Sequence, residues 1–116
     1  PIIVCEDCRE QFGQNLPDQR RSAAALSEEF PTIAFGEISE EDMRFTPERE
    51  SLEALASRAD RFLEMIASRP EQHIAVVTHS SFLAALCNVA LDVSEVVEMG
   101  GWFNNAEMRC VRLLPL

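Results

Sequence analysis

The chain has 116 residues, 47% of them hydrophobic and 26% charged, the balance of one soluble globular domain and not of a disordered or fibrous chain. Its net charge of −10 comes from twenty acids and ten arginines, with no lysine. That excess argues against a general nucleic-acid or anionic-membrane surface, each of which needs a basic patch. A folded chain of this size buries roughly 65% of the surface it exposes unfolded, enough for a small core.

The chain opens on Pro1 and the apolar run Ile2-Ile3-Val4, which reads as the interior of a longer protein. Ile2 to Cys5 is a predicted buried strand, and a polar, turn-rich stretch with Gly13, Asn15 and Pro17 follows it. Cys5 and Cys8 form a single Cys-x-x-Cys without the second pair or close histidines that a structural zinc site needs. Glu6 and Asp7 between them should raise a thiol pKa, so reduced, incidental cysteines and a reducing compartment are the expectation. Arg20 to Phe30 contains Ala23-Ala24-Ala25-Leu26 and is predicted helical, with Pro31 as its stop. Phe30 to Glu50 reads as a long irregular connection. Between Glu28 and Glu50 eight acids face Arg44 and Arg49, a net −6, and the block is expected to be a solvated surface loop that leaves the rest of the molecule free to receive an anion.

Leu52, Leu55, Ala59, Phe62, Leu63 and Ile66 recur at three- and four-residue intervals with Arg and Glu between them, the pattern of an amphipathic helix. Ser51 is its expected N-cap and Pro70 marks its end. His73 to Thr78 is a continuous apolar run of the kind that forms a strand buried on both faces. A helix is predicted over Phe82 to Leu91, too short to cross a bilayer. A Gly100-Gly101 turn and a strand near Met108 to Leu113 complete the pattern. Strand, helix, strand, helix, strand is the order of an α/β sheet covered on both faces.

The junction after Val77 carries the chemistry. A predicted strand delivers Thr78-His79-Ser80-Ser81 to its carboxyl end and a helix begins at once, the place where open α/β sheets bind ligands. Free N–H groups and the helix dipole attract anions there, and His79 can add a hydrogen bond or a charge. Strand-x-His-Ser-x-helix also matches a nucleophile elbow with Ser80 as nucleophile, but the elbow's two glycine positions hold Thr78 and Phe82, and His73 precedes Ser80 instead of following it.

Ile74 to Leu83 resembles the second histidine motif of the histidine phosphatase superfamily, the phosphoglycerate mutase-like proteins. Cys8-Arg9-Glu10-Gln11-Phe12-Gly13, Asp18-Gln19-Arg20-Arg21-Ser22, Arg49-Glu50-Ser51 and Phe103 to Arg109 resemble further segments of that family, in order along the chain. The resemblance implies a three-layer α/β sandwich with a mostly parallel sheet, of which this chain is an incomplete copy: residues 1–116 are the C-terminal portion of one domain. It also implies phosphate-monoester hydrolysis or phosphoryl transfer through a phosphohistidine, without metal or cofactor, on a phosphorylated small molecule or phosphoprotein in the cytoplasm. Glu10 falls at the family's proton donor and His79 at the histidine that holds the transferring phosphoryl, with Ser80, Ser81, Arg20 and Arg21 at substrate-binding positions. The family's defining Arg-His-Gly nucleophile motif occurs nowhere here, where the histidines are His73 and His79. The chain alone is therefore expected to be inert. A non-catalytic binding module on the same α/β platform is the alternative.

Overall fold

Two short strands and the helix between them form the first unit. In the computed structural model, which describes residues 1–92 and 100–114, β1 (Ile2–Ile3) runs parallel to β2 (Ile33–Ala34), with Ile2 opposite Ile33 and Ile3 opposite Ala34. The Val4 N–H extends the pairing onto the Ala34 carbonyl at 3.1 Å. Parallel strands require a crossover, and α1 (Ala23–Glu29) supplies it. Ser22 caps this helix, its hydroxyl accepting the Ala25 N–H at 3.2 Å. Arg20 and Arg21 stay outside the helix predicted to include them, because the Arg20 N–H is drawn to Asp42 Oδ2 at 2.8 Å. β2 lies inside the stretch expected to be irregular; two residues between Pro31 and Gly36 are too few to show a strand's alternation.

The longest element is α2 (Leu52–Ala67), capped as expected by Ser51, whose hydroxyl accepts the Ala54 N–H at 3.1 Å. Its apolar stripe buries Leu55, Ala59 and Phe62 against Phe82 and Leu86. Phe62 and Phe82 meet edge to face, centroids 5.5 Å apart and planes at 87°, a geometry worth about 0.5–1.5 kcal/mol beyond the area buried. α3 (Ser80–Ala85) begins two residues before the predicted start and continues through Leu86–Ala90 in wider turns, the Leu91 N–H reaching back five residues to the Leu86 carbonyl at 2.9 Å. Cys87 and Phe103 make a second small cluster beside it.

Two expectations fail. His73 to Thr78, read as a strand buried on both faces, forms no strand and pairs with neither β1 nor β2, and Val77 is 93% exposed. Met108 to Leu113 likewise joins no sheet, and Met108, Val111 and Leu113 are exposed. The physical reason is the same for both: a strand is held by ladder partners at its edges, and the described residues supply only one two-stranded sheet, β1-β2. The α/β class stands, whereas the described residues do not form a three-layer sandwich. Among them no helix is long and apolar enough to cross a membrane.

Candidate functional site

A cavity of about 360 Å³ opens between the turn after β1 and the start of α3, lined in part by Glu6, Arg9, Glu10, Asp18, Arg20 and His79. Glu10 and His79 are 69 positions apart in the chain, and the fold brings both to this wall. The agent is the Glu10 carboxylate itself. Its Oε1 accepts the Phe82 N–H at 3.1 Å and the Gln11 N–H at 2.8 Å, while Oε2 accepts the Ser81 N–H at 3.2 Å and the Ser80 hydroxyl at 3.5 Å. An anion thus already sits on the open N–H groups that begin α3. Burial alone pushes the Glu10 pKa up, but the N–H donors of Gln11, Ser81 and Phe82 outweigh it and hold the carboxyl below its ordinary value.

His79 occupies the N-cap of α3 with extended backbone, and its side chain makes no capping bond. The imidazole is exposed at the cavity wall. Ser80 and Ser81 are not lining residues; they meet the cavity through Glu10. Thr78, just before His79, donates through its hydroxyl to the Cys8 carbonyl, which ties the approach to α3 onto the turn that carries Glu10.

The two predicted arginines part company. Arg20 lines the cavity, yet its guanidinium is consumed by protein: Nη1 donates to the Arg21 and Glu40 carbonyls and Nη2 to those of Ser39 and Glu41. Its Nε lies 2.6 Å from Glu6 Oε1, an ion pair too misaligned to count as a hydrogen bond. Arg21 is not a lining residue and pairs with Glu29 of α1 at 2.6 Å.

Six of the eight acids between Glu28 and Glu50 are exposed, as expected of a solvated loop, but the block is not remote from the site: Asp42 and Glu50 turn inward onto arginines. Asp42, its side chain 1% exposed, accepts both Nη1 and Nη2 of Arg9 at 2.8 Å and the Arg20 N–H. Although burial opposes it, the Arg9 guanidinium and these N–H donors hold the Asp42 carboxyl far below the usual range. Arg44 reaches back to Asp7 at 2.7 Å and Arg49 to Asp18 at 2.6 Å. The loop is tied behind the cavity wall because Arg9 and Arg20, which line it, take the loop's carboxylate and carbonyls. The cavity wall is correspondingly mixed, with Glu6, Glu10 and Asp18 beside Arg9 and Arg20.

Sequence reasoning missed the residue that organises this wall. Arg58 is 3% exposed in the middle of α2 and forms a paired bond to Glu50, Nε to Oε1 and Nη2 to Oε2, both at 2.7 Å. The same guanidinium donates to the carbonyls of Asp7 at 2.7 Å, Arg9 at 3.0 Å and Glu10 at 3.3 Å. It also lies over the rings of Phe12 and Phe82, at 5.1 and 5.5 Å from their centroids. Arg58 therefore fixes the backbone from which Glu10 projects. The signal was present in the spacing: position 58 is three after Leu55 and four before Phe62, on the apolar face. The Phe103–Arg109 segment, by contrast, is no part of the cavity lining; Arg109 stacks 3.7 Å over Phe103 and bonds to Glu107 and to the carbonyls of Gly100 and Trp102.

Comparison with known proteins gives concordant matches. Phosphoglycerate mutase-like protein 1 of Arabidopsis thaliana is 40% identical over 116 residues, covering 94% of this chain and 40% of the relative. Phosphoglycerate mutase-like protein 2 of the same plant is 36% identical over 139 residues, with the same coverage. A third Arabidopsis phosphoglycerate mutase-like protein is 41% identical over 88 residues, 74% of this chain and 32% of the relative. The chain thus spans two fifths or less of the length of these relatives. No solved structure matches it. The profile of the histidine phosphatase superfamily (branch 1) matches residues 1–112, nearly the whole chain, and it is to this family that the chain belongs.

Proposed function

We propose that residues 1–116 are the C-terminal portion of a single phosphoglycerate mutase-like domain whose whole polypeptide hydrolyses or transfers a phosphate monoester through a phosphohistidine. The observation that carries this reading is the Glu10 carboxylate on the Ser81 and Phe82 N–H groups, beside the His79 side chain. An anion site of this kind suits a phosphate, whose oxygens can accept the same N–H groups. When a phosphoryl group takes those donors, Glu10 loses the bonds that depress its pKa while its burial and the new negative charge remain. Its pKa then rises, the carboxyl takes a proton, and it can protonate the leaving oxygen. In the second step the same group, ionised again, serves as base for water. His79 and the start of α3 hold the phosphoryl oxygens as charge shifts during transfer.

The nucleophilic histidine comes, on this reading, from the remainder of the polypeptide, which also pairs with His73–Thr78 and completes the three-layer sandwich. Substrate is a phosphorylated small molecule or phosphoprotein, the location cytoplasmic, and the chemistry needs no metal. In the full-length protein His79→Ala and Glu10→Gln should each lower turnover of p-nitrophenyl phosphate by about 10²–10⁴-fold. Sustained turnover by residues 1–116 alone, abolished by His79→Ala, would sink the proposal. One observation favours a binding module instead: both terminal nitrogens of the Arg20 guanidinium are taken by backbone carbonyls. Phosphate binding by the full-length protein with no turnover of any monoester would decide for the module.

A further inference from the structure

The Cys-x-x-Cys of the sequence acquires a geometry that the function above does not use. Cys5 precedes and Cys8 ends the 3-10 turn Glu6–Cys8, closed by the Cys8 N–H on the Cys5 carbonyl at 3.4 Å. In such a turn residues three apart eclipse one another and rise about 6 Å, within the Cα separation that a disulfide bridges. The Cys8 thiol donates to the Cys5 carbonyl at 3.2 Å, which turns its sulfur toward Cys5. Both are half-buried and free, while Cys87 is buried and Cys110 exposed elsewhere.

We propose that Cys5 and Cys8 are a redox-active dithiol, a modification site that a small-molecule disulfide such as oxidised glutathione closes reversibly. The pair is chemically asymmetric. The neighbouring Cys8 thiol, with the N–H groups of Asp7 and Cys8, pushes the Cys5 thiol down, against its burial and the charge of Asp7. The neighbouring Cys5 thiol and burial push the Cys8 thiol up, with Arg58 of α2 pulling the other way. Of the two acids in the motif Asp7 does raise Cys5, as the sequence predicts, but the donors around the sulfur outweigh it. Cys5 is thus the attacking sulfur. Its thiolate attacks one sulfur of oxidised glutathione, forming a mixed disulfide and expelling one glutathione thiolate, which takes up a proton. The Cys8 sulfur, giving up its proton, then attacks the Cys5 sulfur and expels the second glutathione. Two protein thiols become one disulfide, and one oxidised glutathione becomes two thiols. The inference is independent of the phosphoryl-transfer reading.

The test is to equilibrate the full-length wild-type protein across reduced-to-oxidised glutathione ratios, quench with acid, alkylate the free thiols and map peptides by mass spectrometry. A Cys5–Cys8 disulfide that grows with oxidised glutathione and is reversed by dithiothreitol, with Cys87 and Cys110 still alkylated, is the expected result. Alkylation of both Cys5 and Cys8 at every ratio, accumulation of glutathionylated Cys5 without closure, or pairing with Cys87 or Cys110 would overturn it. The pH midpoint for Cys5 alkylation should lie more than one unit below the ordinary thiol value of about 8.5 and return towards it in Cys8→Ser. A midpoint at the ordinary value in the wild type contradicts the proposal even where the variant fails to fold.

Discussion

Arg58 and Val77 invert the ordinary placement of their residue types: the arginine is 3% exposed and the valine 93%. Around Arg58, on α2, a buried charge has Glu50, three carbonyls and two aromatic rings to meet it. Around Val77 an apolar run has no ladder partner among the described residues. Burial in this chain follows the availability of partners, and polarity alone misassigns both places. The candidate site lies where the two regions touch, with Glu10 anchored from the Arg58 side and His79 delivered from the Val77 side.

Breaking the Arg58 side should give the largest effect. Arg58→Ala strands Glu50 and releases the carbonyls of Asp7, Arg9 and Glu10, and should cost about 3–5 kcal/mol, read as a lower urea midpoint. A loss below about 1 kcal/mol would mean that the guanidinium is not the anchor. Gly13→Ala comes next. Gly13 has φ +87°, and an added Cβ would lie 2.0 Å from the Glu48 carbonyl oxygen, so a loss of about 2–3 kcal/mol is expected from left-handed strain and collision.

A pH effect follows in size. Asp42 has a folded pKa below its unfolded value, so its stabilisation is complete above about pH 4 and is lost as pH falls through the folded value. The urea midpoint should therefore drop on acidification below about pH 4, and Asp42→Asn should flatten that drop while lowering the midpoint at pH 7. The smallest effect belongs to the open side. Val77→Ser in residues 1–116 should change stability by no more than about 0.5 kcal/mol, whereas in the full-length protein, where the proposal gives this segment neighbours, it should cost more than 1 kcal/mol. Equal small effects in both would leave His73–Thr78 without the strand partner proposed for it.

How much the sequence disclosed follows the same division. α2 and its Ser51 cap were legible because capping and a 3.6-residue period are local, and so was the convergence of helix start, His79 and anion chemistry after Val77. Glu10, and its pairing with His79, came from the family resemblance, since no local pattern links a carboxylate near the start of the chain to a histidine 69 positions later. The placement of the acidic loop was not legible: Asp42 is buried by Arg9, 33 positions away, and nothing near position 42 announces it. His73–Thr78 was misread as already buried, because periodicity reports what a segment can bury and not whether a neighbour is present.

The central claim is that the N–H groups now holding Glu10 are those that receive phosphate. Titrating the full-length, isotope-labelled protein with inorganic phosphate tests this directly, following the amide resonances of Ser81 and Phe82, the His79 ring and the Glu10 carboxyl. The account predicts that all four respond with one binding constant and that the Glu10 pKa rises at saturating phosphate. Binding that moves neither the Ser81 nor the Phe82 amide, or that leaves the Glu10 pKa where it was, would contradict it.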